Sequence, residues 1–352
     1  MANKHMRYGS LDIFKMIAAL LVVAIHISPL ASFNDTADFL LTRIWARTAV
    51  PFFFMVTGFF VLPGCMKSGG GRYLCRQLSK LGILYGTATL LYLPVNIYTG
   101  YFKGQGIITK VVKDLLVNGT FYHLWYLPAV MTGLVVVYLL FKSLGFRWTM
   151  ALALLLYGIG VFGDSYYGVI ADIPVIEAVY EGIFSVSEYT RNGLFMAPVF
   201  LVMGYILAGT QKMAETQRFG RKECAAGFGV CFVIFNGEGL ILHFLRLQRH
   251  DSMYFFLIPV MFFLFQLLLL VPVSAVKIPK DLPMYIYILH PLCIILVRGG
   301  AKVLKATEIF VDMSCIHYLL VAALTVIVSI TVIKVKTAIK KVVGHGKSLD
   351  RS

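Results

Sequence analysis

The chain has 352 residues, 59% of them hydrophobic and 14% charged, with a formal net charge of +15 and a mean hydropathy of +0.80. A water-soluble domain carries roughly 25% charged and about 45–50% apolar residues, so an ordinary cytosolic enzyme and a disordered chain are excluded. Six scattered cysteines, none at a C-x-x-C spacing, exclude a disulfide scaffold and a zinc ribbon.

A membrane-crossing helix needs about 20 apolar residues. The apolar runs predict ten: 11–31, 46–63, 81–98, 122–141, 149–163, 193–210, 224–243, 254–273, 284–298 and 315–333. The expected fold is all-α, a polytopic integral membrane helix bundle. Asp12 and Lys15 interrupt the first run and no small-residue cleavage site follows, unlike a signal peptide. Around Gly69-Gly70-Gly71 a short, flexible, basic loop is expected. Residues 103–118 predict a short interfacial helix with Val111, Leu115 and Leu116 toward lipid. The triplet Asn118-Gly119-Thr120 matches a glycosylation acceptor, a match expected by chance. Residues 164–192 read as the longest outer loop, with five acids and Arg191 as its single basic residue. The organisation expected is a transmembrane domain over 1–333 and a basic cytoplasmic tail, or a linker to a further catalytic domain, over 334–352.

Charge supports one orientation. With a cytoplasmic N-terminus, twenty of the 32 Lys and Arg fall on the inner side, as basic residues of membrane proteins do. They include Lys4, Arg7, Lys67, Arg72, Arg76, Lys80, Lys212, Arg218, Lys277 and the run from Lys334 through Lys341 and Lys347 to Arg351. Both ends are then cytoplasmic. The basic balance is read as this bias, so no nucleic-acid partner is expected; the lipid bilayer is.

An ionisable side chain at the bilayer centre costs about 2.5–3.5 kcal/mol on insertion scales, so each one calls for an account. Lys15 and His26 are eleven residues apart, about 16 Å of rise and the same helix face. Lys15 either snorkels to the inner interface or serves a site. His26 is either bonded to a backbone carbonyl or acts as a base near neutral pH. Arg47 opens the second run, as an interface anchor or as a fork for a carboxylate. Glu238, after Asn236-Gly237, takes up a proton or pairs with a cation, structural or substrate. His123 and Trp125 start the fourth run, where an aromatic belt explains Trp125 but not His123. His290 precedes Pro291, which frees the carbonyl four residues earlier. The cluster His243, Arg246, Arg249 and His250 reads as a solvated face, and no metal is expected. Arg72 and Arg76 are four apart, either inner-side bias or a dock for a phosphate-bearing donor.

Four stretches in order resemble the acyltransferase-3 family of bacterial membrane proteins: Asp12-Ile13-Phe14-Lys15 with His26, Pro51 through Phe59, His123 through Pro128, and Tyr287 through Pro291. Two departures stand out, Lys15 where many relatives carry Arg and Thr57 where many carry Ser. The resemblance implies transfer of an acyl group from cytoplasmic acyl-CoA to an extracytoplasmic hydroxyl acceptor. It makes His26 the catalytic histidine and Lys15 its basic partner, with Arg72 and Arg76 toward the donor phosphates. Arg47, His123, Trp125, Glu238 and His290 are the expected substrate-binding residues.

A narrower resemblance, over Ala24 through Leu30, Leu41 through Arg43, Ala49 through Gly58 and His250 through Tyr254, is to the membrane half of VanT-type membrane-bound serine racemases. It implies a bacterial cell-membrane domain that handles or imports L-serine for D-serine production in vancomycin resistance. Pyridoxal phosphate, racemase chemistry and homodimerisation would then belong to a C-terminal domain absent from these residues. A non-catalytic membrane tether is the third expectation.

Overall fold

The computed structural model describes residues 8–210, 219–271, 273 and 278–349, with side chains through Lys340 apart from Thr210. Lys4, Arg7, Lys212, Arg218, Lys277 and Arg351, and the side chains of Lys341 and Lys347, lie outside the described residues. The helices in chain order are α1 (Gly9–Ile27), α2 (Asp35–Phe39), α3 (Ala49–Phe60), α4 (Leu62–Cys65), α5 (Gly70–Tyr98), α6 (Ile107–Lys113) and α7 (Tyr126–Phe162). They continue with α8 (Tyr167–Ile170), α9 (Pro174–Val186), α10 (Ala197–Thr210), α11 (Arg221–Phe244), α12 (Leu257–Leu270), α13 (Leu282–Val303) and α14 (Ser314–Leu349). Among the described residues there is no strand. Among the described residues, seven helical runs are long and apolar enough to cross a membrane, and α10 and α12 are shorter apolar helices. The protein is an all-α polytopic membrane protein.

The ends of these helices follow local chemistry. α1 stops at Ile27 rather than 31 because Ser28 is left-handed (φ 58°) and Pro29 cannot continue the helix. The second run starts at Asp35, where the Asn34 side chain accepts from Ala37 N at 2.9 Å. It passes through a π turn (Leu40–Ile44) and a 3-10 turn (Trp45–Thr48) before α3. Arg47 therefore lies inside the run and does not open it. The glycine loop is also corrected: only Gly69 (φ 73°) is left-handed, and α5 begins at Gly70, so Arg72, Arg76 and Lys80 ride a helix. The fourth and fifth predicted runs are joined in α7, with a break at Gly145 (φ 73°, ψ 179°) that falls between them. The expected outer loop holds α8 and α9, and Pro174 at the first turn of α9 suits its start. α14 spans 36 residues, about 54 Å at 1.5 Å per residue. That exceeds a hydrocarbon core of about 30 Å, and the basic residues from Lys334 continue the same helix.

The chain divides into two units, residues 1–49 with 271–352, and residues 50–270. In the first, α1, α13 and α14 pack on one another. Its two chain segments are pinned where Ser314 Oγ donates to Pro29 O (2.8 Å) and accepts from Ser32 N (3.1 Å).

In the second, α7 packs on α10 and α5, and α11 on α12, around buried Phe52, Phe54, Phe200 and Phe265. Here glycine sets the approach of two helices. A Cβ on Gly58 would sit 2.1 Å from Leu201 O, and one on Gly204 2.1 Å from Met55 O. Small residues let membrane helices come this close, where packing replaces the hydrophobic effect. Gly58→Ala is expected to destabilise the protein by about 1–3 kcal/mol through overpacking, read as a lower melting temperature in detergent beside a silent Gly86→Ala control, whose Cβ meets nothing within 4 Å.

Candidate functional site

α1 carries two polar stations on one face. At its start, Lys15 Nζ donates to Asp12 Oδ1 at 2.9 Å, so the two interruptions of the first apolar run form an ion pair one turn apart. At its end, the half-buried His26 stacks its ring on His290, with centroids 5.1 Å apart and planes at 25°. By helix geometry the stations lie about 16 Å apart. Lys15 and His26 therefore do not address the same atom, although the sequence places them on one face.

His290 is fully buried, and its orientation follows from its neighbour. Pro291 has no N–H, which frees the carbonyl of Tyr287 within α13. His290 Nδ1 takes up that carbonyl at 2.8 Å and approaches Ile286 O at 3.2 Å. A carbonyl only accepts, so Nδ1 carries the proton and Nε2 keeps its lone pair. The break in α13 thus fixes which ring nitrogen can act as a base. Arg47 belongs to the same unit. It is 8% exposed, on the 3-10 turn that packs against α1, which is not the position of a residue anchored at a lipid interface.

The other predicted residues lie in the second unit. Glu238 is 9% exposed, and three donors of its own unit reach its carboxylate. Tyr166 Oη donates to Oε1 at 2.8 Å, Phe255 N to Oε1 at 2.7 Å and Phe256 N to Oε2 at 2.9 Å. These amides lie just before α12, so Glu238 satisfies donors at a helix start from another helix. Burial, and Glu238 beside it, push the Tyr166 hydroxyl well above its ordinary range and keep it a donor. Asp164 repeats the device. It is fully buried, and its Oδ1 accepts from Ser252 N (2.6 Å) and Met253 N (2.9 Å). Two carboxylates thereby hold four amides of residues 252–256. The sequence shows Glu238 as costly but gives no sign of Tyr166, and Asp164 reads there as one outer-loop acid among five.

His123 is 1% exposed and sits among rings, with Tyr92 at 5.1 Å, Tyr122 at 5.5 Å and Phe121 at 5.7 Å. Trp125 meets a cation that the sequence leaves unassigned. The Arg191 guanidinium lies 5.3 Å from the Trp125 ring and 4.1 Å from Tyr189, and donates to Ser252 Oγ at 3.0 Å. The basic cluster read as a solvated face is partly stacked: Arg249 lies 3.3 Å from the Phe184 ring centre and His250 4.4 Å from that of Tyr189. Two of the sequence motifs meet in this unit, since Tyr126 packs 5.0 Å from Phe54. Arg72 and Arg76 are exposed, one turn apart on α5. Asn118 is engaged on both sides of its amide, by Asp114 Oδ1 and Glu188 N.

The profile of a family described as an acyltransferase domain matches residues 8–334. The chain is 35% identical over 363 residues to an amino-acid racemase of Enterococcus faecalis, covering 99% of this chain and 48% of the relative. A second Enterococcus faecalis amino-acid racemase is 35% identical over 96% of this chain and 47% of its own length. A serine/alanine racemase of Enterococcus gallinarum is 36% identical over 91% and 45%. The chain spans about half the length of these curated relatives. No solved structure matches it.

Proposed function

The chain belongs to the acyltransferase-domain family, and from that premise we propose that it is the membrane part of a membrane-bound amino-acid racemase, admitting L-serine for conversion to D-serine. The observation that carries this reading is that three racemases align with 91% or more of this chain and less than half of themselves. The first unit offers fitting groups: Arg47 for the carboxylate, and the His26–His290 pair for the hydroxyl or ammonium. In this reading the chain crosses a bacterial cell membrane ten times with both ends cytoplasmic. Pyridoxal phosphate, the racemisation and a homodimer contact belong to the half of the relatives that this chain does not span, and a role in vancomycin resistance follows from the D-serine product.

Purified protein in liposomes should take up labelled L-serine, and His26→Ala or Arg47→Ala should lower that uptake about tenfold or more, the loss of one charge-assisted contact. Uptake equal to that of empty liposomes would remove the reading.

A second reading is acyl transfer, favoured by the fixed Nδ1–H tautomer of His290. A histidine lone pair takes the proton of an acceptor hydroxyl, whose oxygen bonds to the thioester carbonyl of an acyl-CoA. The C–S bond breaks and the thiolate leaves, taking up a proton to become the free thiol. Arg72 and Arg76 suit the donor's phosphates. Labelled acetyl-CoA with hydroxyl acceptors tests it: transfer should fall about 10²–10⁴-fold in His26→Ala, the usual worth of a general base. A non-catalytic tether predicts neither uptake nor transfer.

A further inference from the structure

A cavity of about 470 Å³ opens in the second unit between α7, α9 and the segments flanking them. Leu116 and Val117 close one side, Ala129 and Thr132 of α7 form the floor, and Val179 and Ile183 of α9 form the other side. Of its polar side chains, Ser187 and Asn192 are consumed locally. Ser187 Oγ donates to Tyr189 O, Asn192 Nδ2 donates to Ser187 Oγ and to Tyr189 O, and Asn192 Oδ1 accepts from Leu194 N and Phe195 N. Apart from the Thr132 hydroxyl, what remains to a ligand is a hydrocarbon lining, unsuited to a zwitterionic amino acid.

The rim differs in character. Lys113, the last residue of α6, donates from Nζ to Ser185 O near the end of α9. Its ammonium is thereby held between two lining segments, one turn before Leu116 and beside Val186. α6, the π turn after it (Asp114–Asn118) and α9 expose apolar side chains: Ile108 80%, Leu116 61%, Val175 78% and Val179 58%. Short amphipathic helices with this pattern lie in a bilayer interface, where the ambient ligand is lipid. Gly182 lines the cavity, and a Cβ there would meet nothing within 4 Å.

We propose that this crevice is a binding site for one anionic phospholipid, its acyl chain between α7 and α9 and its phosphate at Lys113. The site is independent of the serine reading. With a cytoplasmic N-terminus it faces the outer leaflet.

The test uses the purified chain in nanodiscs with a diazirine-tailed phosphatidylglycerol or phosphatidylcholine, followed by peptide mapping. Phosphatidylglycerol should label residues 128–132 and 179–186 above the lipid-exposed face of α11 at Val230 and Val233. Gly182→Phe, which fills the crevice, should lower that labelling about tenfold. Val179→Trp, built from an exposed position, is the second filling variant should the first fail to give monodisperse protein. Lys113→Gln should lower phosphatidylglycerol labelling roughly fivefold toward the phosphatidylcholine level, the worth of one lysine near anionic lipid. Labelling at the crevice no stronger than on α11, or unchanged by the filling variants, overturns the site. Equal labelling by the two lipids in the parent protein overturns the headgroup assignment and with it the proposal.

Discussion

Glu238→Gln is expected to lower the apparent melting temperature of the protein in detergent sharply while changing its fold little. The carboxylate accepts from Tyr166 Oη, Phe255 N and Phe256 N. An amide has one acceptor oxygen, and its NH₂ faces donors. At least one buried N–H is left opposite another donor. Hydrogen bonds to a charged group are worth about 1.5–3 kcal/mol each, and an orphaned buried donor costs about 1–3 kcal/mol. The expected loss is thus about 3 kcal/mol, and Tyr166→Phe, which removes one donor and leaves the amides paired, should lose about 1 kcal/mol. The measurement also separates two roles. If Glu238 holds a substrate ammonium, Glu238→Gln loses uptake at unchanged melting temperature. If it holds the start of α12, the melting temperature falls and Tyr166→Phe falls in proportion. The three donors support the second outcome.

Pro291→Ala should do the reverse, leaving stability intact or raising it while lowering activity. Proline inside a helix costs about 3 kcal/mol relative to alanine, and α13 contains it within a buried stretch. Alanine returns an N–H to the Tyr287 carbonyl, the acceptor that holds His290 Nδ1 at 2.8 Å. That N–H then competes with His290 Nδ1 for the Tyr287 carbonyl and leaves it the longer contact to Ile286 O at 3.2 Å, so its tautomer and its stacking on His26 at 5.1 Å are held less firmly. A wrong tautomer at a base removes most of the benefit of general-base catalysis, about 10²-fold or more. The ¹⁵N shifts of labelled histidine report the tautomer directly, and serine uptake or acyl transfer reports the consequence. Retained activity with a changed tautomer would make the proline break structural only.

These two residues mark how far the sequence could be read. It determines that the protein lives in a membrane, because apolar runs of bilayer length leave no other solvent for them. It marks most of the long helices through their apolar runs, but run length alone misplaces the ends that Pro29 and Asn34 set and leaves out the helix that Pro174 opens. It also shows that Glu238 and His290 are costly in an apolar setting, since that cost belongs to the side chain itself. What each does with the cost is decided elsewhere. Glu238 meets amides 17 and 18 residues away and a hydroxyl 72 residues away, and His26 on α1 meets the ring of His290 on α13. Such pairings depend on which helices pack together, and periodicity within one helix carries no record of its neighbour. Asp164 shows the same limit from the other side: a carboxylate counted among outer-loop acids is fully buried, because only the folded loop brings it two backbone amides.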